Sequence, residues 1–164
     1  NSQRMNNVPH QKMIVLNSNF ESNRTFMSLI ANNFRFKVSN SIFSDSVICP
    51  KERQAFLFLR IRSDSKYAEL FNKIRDFGSC HANVLIFVIL EINDEKMLIE
   101  LEAEFISFLN IRFIQVQNIY FAVEIMSSYL NRHDFKNEMI TDNNHVTVAF
   151  WNGSALLEKM LNNK

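Results

Sequence analysis

Asn83–Glu91, NVLIFVILE, decides how the rest of this chain is read. Seven apolar residues in a row, Val84 to Leu90, mostly β-branched or aromatic, describe a strand buried on both faces. Strands of that kind sit inside parallel or mixed sheets that carry helices on each side. Asn93 and Asp94 follow at once, offering a cap for a helix expected to run to about Asn110. Its core stripe is Met97 or Leu98, Leu101, Phe105 and Phe108, and its other face carries Glu95, Glu100, Glu102 and Glu104. That face reads as solvated and acidic, and its carboxylates would repel phosphates.

Upstream, Gln54–Arg62 (QAFLFLRIR) is a second long strand. Period two puts Ala55, Leu57, Leu59 and Ile61 on one face and Phe56, Phe58, Arg60 and Arg62 on the other. Ser63-Asp64-Ser65 is the expected cap of a helix whose apolar stripe is Tyr67, Leu70, Phe71, Ile74 and Phe77, with Gly78 at its C-terminal stop. Further upstream, KMIVL at 12–16 is a short strand, NSNFESN supplies turn and cap residues, and Phe26, Leu29 and Ile30 mark a helix to about Ala31. FRFKV at 34–38 alternates as a half-buried strand. Residues 40–53 read as loop, with Pro50 stopping any regular element.

Downstream, Ile111–Val116 is a strand and Asn118 caps a helix to about Asn131. One stripe of that helix, Ile119, Ala122, Val123, Met126 and Leu130, is expected to face the sheet. A second stripe, Phe121, Ile125 and Tyr129, lies about 120° around the helix at ~100° per residue, so a partner or another element of the same chain must cover it. Residues 132–144 form a polar linker, His145–Phe150 a last strand, and Ser154–Leu161 a closing helix. The pattern of strand, polar turn and amphipathic helix predicts one α/β domain over 1–164. Its sheet is mixed and mostly parallel, in a three-layer arrangement with flanking helices and right-handed crossovers.

Composition narrows the chemistry. The 164 residues carry 18 Lys+Arg against 17 Asp+Glu, a net charge of +1, so nucleic-acid contact must come from a local patch. Two glycines cannot build a Rossmann or P-loop phosphate cradle, nor a G-x-S-x-G nucleophile elbow. His10, His81, His133 and His145 are scattered, and Cys49 and Cys80 lack CxxC spacing, so no metal site and no cofactor is expected. Sixteen phenylalanines fit either a Phe-rich core or a surface kept for a partner. No apolar run approaches a membrane span and NSQRMNNVPH has no signal-peptide core, with Met5 a candidate natural start. Two cysteines suit a reducing compartment. The expectation is a soluble intracellular protein with no membrane contact and no small-molecule substrate.

From Gln54 to Leu130 the order AFLFLRI, KYAELFNKIRDFG, NVLIFVILE, EKMLIELEAEFISFL, IRFIQVQN, IYFAVEIMSSYL resembles the XPF-type nuclease fold. Members of that family with activity carry a Gly-Asp in the preceding loop and an E-R-K-x-x-x-D run at the strand end. Here 41–46 has no Gly-Asp, Lys51-Glu52-Arg53 precedes the strand, and the strand end reads Leu59-Arg60-Ile61-Arg62. The catalytic acid is missing, so the resemblance is to the branch whose nuclease site has decayed. The roughly thirty residues after Leu130 carry one Gly, so they are not expected to form a helix-hairpin-helix module. Together with the opening KMIVLNSNF and the ending HVTVAFWNGSALLEKML, the chain is similar to the small partners of XPF-like subunits in the meiotic crossover (ZMM) group.

That resemblance implies a non-catalytic subunit in an obligate heterodimer with an XPF-like ZMM subunit. The pair would bind branched DNA recombination intermediates and serve crossover formation and synapsis on meiotic chromosomes in the nucleus. The expected partner interface is Phe121, Ile125 and Tyr129, joined by Phe150, Trp151, Leu157 and Leu161 because dimers in this family use helices flanking the last strands. Candidate DNA contacts are Arg60, Arg62, Lys66, Lys73, Arg132 and Lys136; for Arg60 and Arg62 the alternative is a solvated strand end. A second reading is an interaction scaffold of the same fold with no DNA contact, and a third is an enzyme using acids outside these motifs.

Overall fold

The computed structural model describes residues 11–91 and 95–131. Six strands lie in one sheet: β1 (Met13–Asn17), β2 (Arg35–Ser39), β3 (Ser46–Cys49), β4 (Gln54–Ile61), β5 (Asn83–Leu90) and β6 (Ile111–Val116). Four helices accompany them: α1 (Arg24–Asn33), α2 (Tyr67–Cys80), α3 (Glu95–Phe105) and α4 (Ile119–Asn131), with a 3-10 turn at Ser18–Ser22. The strand order is β2-β1-β3-β4-β5-β6. All neighbouring pairs are parallel except β1–β3 and β3–β4, so among the described strands β3 alone runs backwards.

β5 is an interior strand, paired along its length to β4 from Gln54↔Asn83 to Ile61↔Leu90 and to β6 from Val84↔Ile111 to Ile89↔Val116. The middle of the sheet falls at β3 and β4, one place over from the position expected for β5. The shift has a definite cause. Residues 40–53 are not all loop: Ser46–Cys49 is a strand pairing Ser46↔Leu57 through Cys49↔Gln54. Pro50 opens the hairpin turn instead of ending the element. Its carbonyl accepts from the Arg53 amide at 3.1 Å, and Arg53 takes the left-handed conformation (φ 53°) that closes the turn.

Side chains sort into two cores. One face of β4 gives Phe56 and Phe58 to a cluster with Leu85, Phe87, α1 (Phe26, Ile30) and α4 (Ala122, Val123, Met126, Leu130). The other gives Ala55, Leu57, Leu59 and Ile61 to a cluster with Ile86, Val88, α2 (Ile74, Phe77) and α3 (Leu98, Leu101, Phe105). This is the expected alternation and the expected three layers. β1→α1→β2 steps one way along the sheet, and β4→α2→β5→α3→β6 steps the other. Crossovers of one hand must then place α1 opposite α2 and α3, as the two clusters do. Nine of the described phenylalanines are buried, so the core absorbs most of that residue's surplus.

Local chemistry departs from expectation at several ends. Lys66 is the N-cap of α2 and makes no side-chain cap bond; the Ser65 hydroxyl accepts instead from the Arg62 amide at 2.9 Å. Gly78 lies inside α2, where an added Cβ would come 2.6 Å from Ile111 Cδ1. It permits close packing of helix on strand, and the helix continues to Cys80. α3 stops at Phe105, short of Asn110, and Phe108 is partly exposed. The Asn93-Asp94 cap lies outside the described residues. β2 is an edge strand, and Phe36 and Val38, expected half-buried, are exposed there. Asn17, Asn23 and Asn118 do cap, accepting from Asn19, Phe26 and Phe121 amides at 2.9, 3.1 and 2.9 Å.

Candidate interaction surfaces

In open α/β sheets the crevice beyond the strand C-termini, where connections diverge to opposite sides, is the usual place for a site. Here it lies beyond β1 and β4, with the N-terminus of β3 between them. A polar network fills it. Buried Asn17 donates to the Ile42 carbonyl at 2.8 Å. Asn19 donates through Nδ2 to Asp45 Oδ1 at 2.7 Å and accepts the Asp45 amide at 3.1 Å. Lys73 Nζ reaches Asp45 Oδ2 at 3.2 Å. Asp45 sits at φ 60°, a conformation in which Asn and Asp are the side chains best tolerated after Gly. Its carbonyl accepts from the Phe58 amide at 2.9 Å, which ties the crevice to β4. Both carboxylate oxygens are thus engaged by protein donors.

At the β4 end Arg60 Nη1 approaches Glu91 Oε1 at 3.3 Å, and Arg62 Nε approaches Glu91 Oε2 at 2.7 Å. One carboxylate from the end of β5 therefore clamps both arginines. Lys66 meets Glu69 at 3.9 Å on the exposed start of α2. The four described candidate DNA cations, Arg60, Arg62, Lys66 and Lys73, all carry an acidic neighbour, three in total, leaving one net positive charge among them. Arg132 and Lys136 lie outside the described residues. Among the described residues no three His, Cys, Asp or Glu side chains gather in a way that could hold a metal ion. No described helix is long and apolar enough to cross a membrane.

On the sheet face that it shares with α1, α4 buries Ile119, Ala122, Val123, Met126 and Leu130. The second stripe, Phe121, Ile125 and Tyr129, is half-buried, packed at the fringe of the α1/α4 core together with Met27 and Leu29 of α1. Tyr129 lies edge-on to Phe56 at 6.1 Å. Burial pushes its phenol upward, with Arg112 pulling the other way. The stripe is therefore less open than a bare apolar strip, and Tyr129 is its most core-like member. Phe150, Trp151, Leu157 and Leu161 lie outside the described residues.

No family model matches the chain, and no curated protein matches it either.

Three groups that the fold brings forward carry little signal in the sequence. Asp45 lies in a segment that reads as loop, although Ser44-Asp45 before SVIC is a turn signal. Glu91 ends the most apolar strand and has no marker of its own. Ile99, on the face of α3 that reads as acidic, and Ile106, in the turn directly after the helix, are 62% and 71% exposed.

Proposed function

We propose that this chain is the non-catalytic subunit of a heterodimer with an XPF-like ZMM partner. The pair binds branched recombination intermediates and promotes meiotic crossover formation and synapsis on chromosomes in the nucleus. The observation carrying this reading is the Arg60–Glu91–Arg62 clamp at the end of β4. In a sequence whose pattern resembles XPF nucleases, the end of β4, where that resemblance would put metal-binding acids, holds two guanidiniums on one carboxylate. A cation pair repels a divalent ion, and hydrolysis of a phosphodiester by metal needs converging carboxylates. On this reading the chain alone cleaves nothing, with Mg²⁺ or Mn²⁺. The resemblance of the ordered segments from Gln54 to Leu130 supplies the partner and the DNA structure.

One observation favours a second reading, an interaction scaffold without direct DNA contact. Every described candidate DNA cation is already matched by Glu91, Glu69 or Asp45. Co-expression with an XPF-like subunit, size-exclusion chromatography and a junction-binding titration over salt test both. A stable 1:1 complex whose affinity falls steeply with salt is expected. A complex with no affinity for junctions leaves the scaffold reading, and failure to form a complex removes the first.

A further inference from the structure

At the end of the sheet away from the crevice, where the parallel strands begin, the balance of charge is different. Segments 11–17, 34–39 and 46–54 hold five cations, Lys12, Arg35, Lys37, Lys51 and Arg53, against one acid, Glu52, which leaves four net positive charges. β1 and β2 start at this end, and β3 turns into β4 there. The Arg35 amide donates to the Lys12 carbonyl at 3.0 Å, and Lys12 pairs with Glu52 of the turn. Asn83 donates through Nδ2 to the Arg53 carbonyl at 3.2 Å, which fixes the turn to β5. Three separate segments thus bring their cations to one edge.

Arg35, Lys37, Lys51 and Arg53 are exposed, and none has an ion pair among the described residues. In this they differ from Arg60, Arg62, Lys66 and Lys73, each of which faces an acid. Cations left unmatched on a fixed frame create a field that draws a polyanion. Edge strands also carry lysine to deter pairing with other chains. That accounts for Lys37 on β2, but not for Lys51 and Arg53 in a closed hairpin turn.

Geometry narrows the polyanion. From β2 across β1 and β3 to β4 is three strand spacings of about 4.8 Å, or about 14 Å. One strand of duplex DNA presents a phosphate about every 3.4 Å of its axis, so the row meets about four phosphates in line. Between Arg35 and Lys37 stands Phe36, 37% exposed on the other face of the edge strand. Cations interleaved with an open aromatic ring suit a nucleic acid, the cations taking phosphates and the ring an unpaired base. We propose that this basic edge, Arg35, Lys37, Lys51 and Arg53, is where the chain grips the phosphate backbone of DNA. The branched character of that DNA rests on the reading under Proposed function. The contact itself moves to the opposite end of the sheet from Arg60 and Arg62.

The test is fluorescence anisotropy of a labelled four-way DNA junction titrated with the full chain, alone and co-expressed with an XPF-like subunit, over a range of salt. Arg35→Gln with Lys37→Gln, and separately Lys51→Gln with Arg53→Asn, should each weaken binding about tenfold and lower the log K against log salt slope by about 2. Asparagine is used at 53 because it tolerates the left-handed backbone there. Circular dichroism and thermal melts should match wild type, since all four side chains are exposed. Arg24→Gln removes an exposed cation at the start of α1, also without an ion pair among the described residues, and should leave the slope unchanged. Arg35→Lys with Arg53→Lys keeps the charge and should bind as wild type does. If the complex binds the junction and both double variants keep its affinity and slope, the proposal is overturned and the heterodimer reading stands. An equal loss per cation from Arg24→Gln overturns it in the same way. If the complex binds the junction at no salt concentration, the proposal and the DNA-binding reading fall together. If no complex forms but the chain alone loses the junction on these substitutions, the surface stands and the partner reading falls. Double variants that lose vesicles of anionic phospholipid while keeping DNA overturn the proposal in favour of a membrane surface.

Discussion

Arg62 Nε stands 2.7 Å from Glu91 Oε2, while the other oxygen of that carboxylate receives Arg60. The end of β4 is therefore charged but self-matched. These groups are well exposed to solvent, so the pair contributes little to folding, within about 1 kcal/mol. Its removal should nevertheless change what the strand end offers to a phosphate. Glu91→Ala in the heterodimer should tighten junction binding and steepen the log K against log salt slope by about 1 to 2, as released cations displace counterions. An unchanged slope would place DNA contact, if any, away from this strand end.

Tyr129 and Phe121 share a stripe of α4 but should behave differently. Tyr129 is packed on Phe56 and half-buried, so Tyr129→Ala should lower the stability of the isolated chain by about 2–4 kcal/mol, read by urea denaturation. Phe121→Asp should leave the chain folded and, on the proposed function, lose a co-expressed XPF-like subunit on a co-purification column. Equal loss of stability in both variants would make the whole stripe core.

At Gly78 the constraint is steric. Alanine favours a helix interior by roughly 0.5–1 kcal/mol over glycine, yet its Cβ would lie 2.6 Å from Ile111 Cδ1. Ile111 is buried, so it cannot swing clear at no cost. Gly78→Ala should destabilise by about 1–2 kcal/mol. Adding Ile111→Val, which removes Cδ1, should make the alanine neutral or favourable, a non-additivity that thermal melts of the four proteins would reveal.

Glu102 is half-buried without an ion pair among the described residues, and burial raises its carboxyl from 4.5 to about 7. A carboxyl raised on folding binds more protons in the native state than in the unfolded one between those values. Stability must then fall as pH rises through that window. Glu102→Gln should flatten the decline, so the variant gains on wild type from pH ~5 to ~8, by no more than about 1 kcal/mol given the screening at a part-exposed site. A parallel pH profile for both proteins would refute the shift.

The long apolar strands and the period-two faces of β4 were legible because burial on both sides leaves no other pattern available to Val84–Leu90. α4 was legible for the same kind of reason, its first stripe being apolar at every core position. β3 was not. Its four residues sit between Asp45 and Pro50, and a strand that short owes its existence to pairing with β4, which only the tertiary structure supplies. The α2 boundary failed because Gly78 has two uses, ending a helix or letting one approach a strand, and the sequence cannot choose between them. Of the candidate surfaces, the α4 stripe and the arginine pair were readable from spacing. Their matching acids, Glu91 and Asp45, come from other elements, and spacing along one segment does not show them.

The reversed strand β3 also divides the described sheet in time. β4 and β5 are joined by eight residue pairs, but β1 meets β3 through two, Val15↔Ile48 and Leu16↔Val47. The tight turn at 50–53 lets β3 and β4 find each other locally, whereas the unit formed by β1, α1 and β2 must dock onto that hairpin as a separate cooperative piece. Amides of β1 and β2 should therefore exchange through a cheaper opening than those of β4 and β5. The unit from β1 to β2 would then come loose while the remainder of the sheet stays closed.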